Sequence, residues 1–226
     1  MLLVDTKSTA KKSTENKFLQ NLKSILLKRL WQSWKRLQGQ NSAMDKFIRT
    51  YPMLSDDVCK TLIGLFDSSK NKERVENYLT PQFTQVNLNE LSDNGYQKFV
   101  QLLCYKVLEI VKLYKRELPE YTEWFPEKIL FEELRIKKYE AKTDDQFDIH
   151  TDVQDHDSAK RYLAFLIYLN EDFKGGETDF PYNKLTIKPE TGKVLVFPPT
   201  WQYPHIGMPV KSGKPKYVMS TYLHYN

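Results

Sequence analysis

Two residue types able to bind a metal stand close together near the middle of the chain. His150 lies two residues before Asp152, at the end of the short strand-like run Phe147-Asp148-Ile149. Side chains at positions i and i+2 of a β-strand point to the same face, so both can reach one ion. A third ligand must come from elsewhere, and His205 is the best candidate. Two imidazoles and one carboxylate on one side of a metal form a facial triad, which suits Fe(II) and leaves coordination positions open.

The spacing alone is a weak signal, because such patterns also arise by chance. A strand-end histidine paired with a carboxylate would explain His150 and Asp152 without a metal. His156 stands between two aspartates, where a second metal site is conceivable but a solvated loop is the stronger interpretation. His224, near the end of the chain, is expected to be structural.

Two helices are predicted ahead of these residues. Ser55 is a predicted N-cap, followed by acids in the first turn and an apolar stripe from Val58 to Phe66. After a predicted loop over 70–92, a longer helix is expected from about 93 to 118, ending before Pro119.

From Ile129 onward the pattern changes to short β-rich runs separated by turn residues such as Gly175-Gly176. Helices first and many short strands afterwards indicate an α+β chain whose C-terminal half is a sandwich or jelly roll. The predicted strands are 129–140, 146–153, 161–170, 184–188, 193–198, 203–210 and 215–225.

The charge of the chain is unevenly distributed. The 226 residues carry a formal net charge of +5, but residues 1–40 hold nine basic and two acidic residues, a net of +7, which leaves a net of −2 for the rest. The basic segment 17–38 has apolar residues at helical spacing and could contact an anionic membrane surface or a protein. Packing against its own domain is the simpler interpretation. We therefore predict an extension over 1–43 and a domain over 44–226.

Composition excludes several classes of protein. Hydrophobic residues make up 40% of the chain and charged residues 28%, which argues against a disordered or collagen-like chain. No stretch approaches the apolar length of a membrane-spanning helix. Two isolated cysteines, Cys59 and Cys104, are neither a disulfide framework nor a zinc site, and no secretory signal is recognisable, so a reducing, cytoplasmic location is expected.

The residues around the candidate triad occur in the order typical of one enzyme family. The segments are Leu134–Tyr139, Gln146–Asp152, Arg161–Asn170, Gly175–Phe180, Pro189–Gly192, Val196–Pro198, then His205, Pro209-Val210, Ser212-Gly213 and Lys216–Val218. In this the sequence resembles the prolyl 4-hydroxylase type of 2-oxoglutarate/Fe(II)-dependent dioxygenases. The resemblance covers about residues 130–225, and more loosely the helical part from about 45.

The resemblance implies a fold and a set of roles. The fold is a double-stranded β-helix, a cupin-like jelly roll over 129–226, with helical support over 44–128. His150, Asp152 and His205 would bind Fe(II), and Lys216 would bind the far carboxylate of 2-oxoglutarate. Tyr139 and Tyr168 would line the cosubstrate pocket, and Ser220 would share the inward face of the strand of Lys216.

Two departures from the family pattern leave questions open. The stretch after Gly213 is one residue longer than usual, so that Lys214, which has the same strand parity as Lys216, is an alternative anchor. Ala164 stands where the family often has a threonine, which removes one expected cosubstrate contact.

The activity implied by the resemblance is the hydroxylation of an unactivated C–H bond, coupled to oxidative decarboxylation of 2-oxoglutarate to succinate and CO₂. Fe(II), 2-oxoglutarate and O₂ are then required, with ascorbate as a candidate reductant. A prolyl residue of a peptide or protein is the expected substrate. Hydroxylation or oxidative cyclisation of a free amino acid or other small molecule, and a non-catalytic metal-binding jelly roll, remain alternatives. No nucleic acid is expected, because the paired arginines typical of demethylases do not follow His205.

Overall fold

Two α-helices and a long series of antiparallel strands make up the part of the chain that the computed structural model describes, residues 45–76, 81–91 and 94–226. Helix α1 is Asp56–Ser68 and helix α2 is Asn94–Glu117. Both predicted helices are thereby confirmed. The predicted extension over 1–43, with its basic segment 17–38, lies outside the described residues and stays a prediction.

The strands are short, as the spacing of turn residues indicates. In chain order they are β1 Arg49–Pro52, β2 Glu73–Glu76, β3 Gln82–Asn87, β4 Leu130–Phe131, β5 Arg135–Tyr139, β6 Phe147–His150, β7 Arg161–Tyr168, β8 Phe173–Gly175, β9 Thr178–Phe180, β10 Leu185–Ile187, β11 Lys193–Phe197, β12 His205–Gly207, β13 Val210–Gly213 and β14 Lys216–His224.

These strands form one large and one small antiparallel sheet. The large sheet has the order β1-β11-β7-β14-β5-β3-β2, with β4 also paired to β14, and the small sheet has the order β10-β9-β12-β6. Strands β8 and β13 form a separate two-stranded ribbon. This architecture confirms the predicted α+β chain with a double-stranded β-helix.

Alternation along the central strands separates the hydrophobic core from the interior that holds the candidate site. On one face of the large sheet, residues such as Phe165, Ile167 and Met219 join helix residues such as Leu62 and Val107 in the main core. The intervening residues face the other way, since successive side chains of a strand alternate between the faces. All nine residues of β14 are buried, because both faces of this strand are covered.

The segment predicted as helical support and loop also contributes strands. Strand β1 pairs with β11, and the β2–β3 hairpin extends the large sheet beyond β5, where a loop over 70–92 was predicted. The hairpin has few apolar residues, chiefly Val75, Phe83 and Val86. Its strands therefore follow from pairing, of β3 with β5 and of β2 with β3, rather than from their own composition. The three-residue strands β8 and β9 were likewise not predicted.

Two details of the helices were not predicted. Ser55 occupies the N-cap position of α1, but its side chain makes no capping hydrogen bond. The apolar residues of α2 are covered unequally, since Leu102 is 49% exposed whereas Leu103 and Val107 are buried. No helix among the described residues is long and apolar enough to cross a membrane.

Gly192 holds the turn before β11 in a conformation that other residues rarely adopt. Its φ is +78°, and a Cβ atom added there would lie 2.1 Å from the carbonyl oxygen of Leu54. We expect Gly192→Ala to lower the free energy of unfolding by more than about 2 kcal/mol, because strain in the left-handed region adds to this clash. Gly64 on α1 is the control, since a Cβ atom there meets nothing within 4 Å.

Denaturant unfolding of both variants measures the difference. Gly64→Ala is expected to be neutral or stabilising by up to about 1 kcal/mol, because alanine is the better helix former. Equal stability of the two variants would show that the turn can relax around the methyl group.

Candidate active site

The two histidines of the predicted triad meet because of strand register. Strand β12 pairs with β6 in the small sheet, and His205 lies directly opposite His150 in that pairing. Their ring centroids are 4.3 Å apart. Direct cross-strand neighbours have Cβ atoms about 4.5–5.5 Å apart, so the register alone suffices to bring the two imidazoles to one point.

Asp152 completes the group from outside the strand. The prediction placed Asp152 on the same strand as His150. Strand β6 ends at His150, however, so Asp152 lies in the segment that follows the strand. Its two carboxylate oxygens are each 3.7 Å from an imidazole, Oδ1 from Nε2 of His150 and Oδ2 from Nε2 of His205. Ligand atoms of the three residues lie within 4.8 Å of one another, and they form the one such group found among the described residues.

Other side chains hold Asp152 in this position. The Tyr222 hydroxyl donates a hydrogen bond of 2.7 Å to Oδ1, and Nη1 of Arg161 donates one of 2.7 Å to the main-chain carbonyl of Asp152. The Arg161 guanidinium is in turn bonded twice to Glu132, at 2.7 Å each, and lies 4.1 Å from the centroid of the Tyr222 ring. His224, expected to be structural, is bonded to the same glutamate at 2.8 Å.

Hydrogen bonds to the main chain fix which imidazole nitrogens face the centre of the triad. Nδ1 of His150 lies 2.7 Å from the carbonyl of Asp148, and Nδ1 of His205 lies 3.2 Å from that of Tyr203. A carbonyl oxygen only accepts, so each Nδ1 carries the proton and the lone pair is on Nε2. This arrangement is the usual one for metal-binding histidines.

The ionisation states also fit a metal centre. Burial lowers the pKa of His205 to about 4, so its imidazole is neutral at pH 7. Burial by itself would raise the pKa of Asp152, but His205, His150 and the Tyr222 hydroxyl lower it well below its usual range. Oδ2 of Asp152 is buried without a hydrogen-bond partner in the described structure. A buried carboxylate oxygen without a partner is costly, and a cation between the three residues would satisfy it.

A small inner cavity connects this group to Lys216. The cavity of about 40 Å³ is bounded by the triad, Tyr139 and Lys216, among others. Lys216 is 4% exposed, and its ammonium donates a hydrogen bond of 2.7 Å to the carbonyl of Gly176. The Tyr139 and Tyr168 rings are centred 5.3 and 5.8 Å from the ammonium nitrogen. The volume holds only a few waters. The Lys216 ammonium has three N–H donors, so two remain for a further acceptor such as a carboxylate.

Lys214, the alternative anchor, lies at the surface. It precedes β14, and its exposed ammonium pairs with Asp172 at 2.7 Å. Burial lowers the pKa of Lys216 to about 8, whereas the Asp172 carboxylate raises that of Lys214. Of the two lysines, Lys216 is therefore the one that reaches the triad.

The other residues predicted to contact the cosubstrate differ in whether they line the inner cavity. Tyr139 lines the inner cavity, while Tyr168 adjoins Lys216 and donates a hydrogen bond of 2.9 Å to the Thr178 hydroxyl. Ser220 shares the inward face of β14 but lines the outer cleft instead of the inner cavity. Ala164 is fully buried between its register partners on β11 and β14 and offers no polar side-chain atom.

A wide cleft opens on the other side of the triad. Its volume is about 870 Å³, and His150, Asp152 and Lys137 form part of its lining. The β2–β3 hairpin and the segment 151–160 contribute to its walls, together with charged residues from β5 and β7. The predicted solvated loop around His156 is confirmed in that this residue is exposed.

Three residues of the site were not predicted from the sequence. Arg161 lies in a quoted family segment and Tyr222 lies four residues after the last one, but only the folded structure shows that they hold Asp152. Lys137 lies in the segment Leu134–Tyr139, where alternation with Tyr139 could have indicated that it faces the same interior.

Comparison with known proteins agrees with this geometry. A family profile described as the 2OG-Fe(II) oxygenase superfamily matches residues 134–224. A protein of Acanthamoeba polyphaga mimivirus named "Putative prolyl 4-hydroxylase" is 44% identical over 63 residues, which cover 24% of this chain. The aligned stretch spans about a quarter of that relative's length, 26%.

Solved structures share the fold. The viral collagen prolyl hydroxylase of Paramecium bursaria Chlorella virus-1, in its 2OG complex, has a TM-score of 0.59 at 24% identity, over 80% of this chain and 96% of that one. The prolyl hydroxylase of Trichoplax adhaerens, in complex with a hypoxia-inducible-factor peptide fragment, has a TM-score of 0.59 at 14% identity, over 86% and 92% of the two chains.

The family match runs from the residue before β5 to the last residue of β14, and so includes every strand that bears the triad and Lys216. Over these residues the chain is similar to the 2OG-Fe(II) oxygenase superfamily, and the names of the proteins reported above describe prolyl hydroxylases, one of them as "putative".

Proposed function

We propose that this chain is an Fe(II)- and 2-oxoglutarate-dependent dioxygenase that hydroxylates a C–H bond of a prolyl residue in a peptide or protein. The observation that carries the proposal is the position of the triad between two spaces. On one side the inner cavity leads to the buried Lys216, and on the other the cleft is open to solvent. A cosubstrate and a substrate can therefore approach the same metal from different directions.

Iron and 2-oxoglutarate, when bound, supply the oxidation: O₂ gives one oxygen atom to succinate, formed with loss of CO₂, and one to the C–OH of the product. The side chains supply binding and geometry. His150, Asp152 and His205 would hold the metal on one side and leave the opposite positions free. Lys216 would bind the far carboxylate of 2-oxoglutarate, and Tyr139 would cover the cosubstrate.

The size of the cleft supports a peptide substrate. About 870 Å³ open to solvent is ample for several residues of an extended chain, and a free amino acid would fill little of it. Exposed acids on its walls, such as Glu73 and Asp157, disfavour a nucleic acid, whose backbone is anionic. Ascorbate as reductant and a cytoplasmic location stay predictions, the latter supported by the free thiols of Cys59 and Cys104.

Succinate formation tests the proposal directly. The full chain with Fe(II), 2-oxoglutarate and O₂ is expected to produce succinate, with faster turnover in the presence of a proline-containing peptide. Mass spectrometry should then show the gain of one oxygen atom on the peptide. A panel of free amino acids run in parallel separates the rival substrate class, and no succinate under any condition would leave the non-catalytic jelly roll as the better interpretation.

A further inference from the structure

Lys137 is a cation of the candidate active site for which the proposed mechanism has no use. It lies on β5 two residues before Tyr139, so the two side chains are on the same face of the strand. It lines both the inner cavity and the outer cleft, together with His150 and Asp152. Its position is therefore at the boundary between the space for the cosubstrate and the space for the substrate.

The Lys137 ammonium forms no ion pair with any carboxylate of the described residues. Within residues 45–76, 81–91 and 94–226 its nitrogen makes no hydrogen bond, and it lies 5.1 Å from the centroid of the Phe83 ring. Burial lowers its pKa to about 8, an effect that the Asp152 carboxylate partly offsets. By contrast, the adjacent Lys138 pairs with Glu140 at 2.5 Å on the opposite face of the strand.

A count of charges shows that the cosubstrate does not need Lys137. A divalent ion with Asp152 and two neutral imidazoles carries a net charge of +1. The Lys216 ammonium raises this to +2, which the two carboxylates of 2-oxoglutarate neutralise. Lys137 then adds one positive charge that neither the metal ligands nor the cosubstrate balances, and such a charge in a partly buried site is unfavourable.

We propose that Lys137 binds a carboxylate of the primary substrate, next to the C–H bond that reacts. This inference rests on the proposed function and adds to it a substrate class. The carboxylate can come from an acidic residue beside the hydroxylated one, or from the main-chain carboxylate of a free or C-terminal amino acid. Acids on the cleft walls, such as Glu90 and Asp155, would repel such a group elsewhere and so favour its location at Lys137.

Matched pairs of probes measure this preference. The first pair is N-acetyl-L-proline and its amide. The second kind of pair compares a capped Pro-Asp or Asp-Pro dipeptide with the same dipeptide in which Asn replaces Asp. Calorimetry on the full chain loaded with Mn(II) and N-oxalylglycine, an unreactive analogue of 2-oxoglutarate, gives each dissociation constant. The first pair reports a main-chain carboxylate, and the second reports a side-chain carboxylate.

In the wild type the carboxylate member of at least one pair should bind about tenfold or more tightly, as expected for a charge-assisted hydrogen bond. Lys137→Met should reduce that preference to less than about twofold, and Lys137→Arg should retain most of it. Lys138→Met, which removes the same charge from the opposite face of the strand, should retain it fully. Thermal unfolding of each variant shows that it is folded.

Three results would overturn the inference: no carboxylate preference in the wild type, a preference that survives Lys137→Met, or a comparable loss of affinity for 2-oxoglutarate itself in that variant. Succinate formation without any primary substrate is measured alongside. If succinate forms while the carboxylate preference is absent, only the assignment of Lys137 fails. If the wild type forms no succinate with or without a primary substrate, the proposed function itself is contradicted.

Discussion

Replacement of His205 by alanine is expected to abolish the conversion of 2-oxoglutarate to succinate. His205 supplies one of three ligand atoms that face a common point, and its Nε2 lies 3.7 Å from the unpartnered Oδ2 of Asp152. Loss of a residue that merely orients a ligand typically costs 10–100-fold in metal affinity or activity, so loss of a ligand should cost more than about 100-fold. The measurement is succinate formation without added substrate.

A second measurement separates metal binding from other effects. Mn(II) affinity, determined by calorimetry, should fall together with activity in His205→Ala. His156→Ala is the matched control, because this histidine is exposed and outside the triad. Retention of wild-type metal affinity by His205→Ala would exclude His205 as a ligand.

The three residues of the triad could be predicted from the sequence, but the contacts that bring them together could not. His150 and His205 were predicted as ligands from residue type and family order, and register explains their meeting: β12 pairs with β6 so that the two face each other. Asp152 was expected on the same strand face as His150. In the structure it lies beyond the strand, positioned by Tyr222 and Arg161, and contacts between residues so distant in sequence cannot be derived from local patterns.

Lys137 and the β2–β3 hairpin show a second limit of prediction from sequence. Lys137 and Lys138 are alike in type, and alternation predicts only that they face opposite sides. The register of β5 with β14 decides which of the two lysines faces the interior of the candidate site. A slip of this register by one residue would exchange Lys137 and Lys138. The hairpin is polar enough to resemble a loop, and pairing with β5 makes it a sheet edge that walls the cleft.

Replacement of Lys216 by alanine is expected to raise the KM for 2-oxoglutarate by about 10- to 100-fold, with a smaller change in kcat. The side chain is buried at the end of the cavity, and hydrogen bonds to charged groups contribute about 1.5–3 kcal/mol, which corresponds to this range. Lys214→Ala is the control, because that lysine is exposed and pairs with Asp172. Its KM should stay within about twofold of the wild type, and a larger rise there than in Lys216→Ala would reverse the assignment of the anchor.

The pH dependence of kcat/KM for 2-oxoglutarate tests the charge of Lys216 without removing its side chain. Burial lowers the pKa of Lys216 to about 8, so in the free enzyme the ammonium is lost as the pH rises through that value. Since only the ammonium binds a carboxylate, kcat/KM for 2-oxoglutarate should fall above about pH 8. Lys216→Arg should lack this fall, because a guanidinium stays protonated. Lys137→Met should keep it, since Lys137 is assigned to the primary substrate, and a flat profile in the wild type would contradict an ammonium anchor.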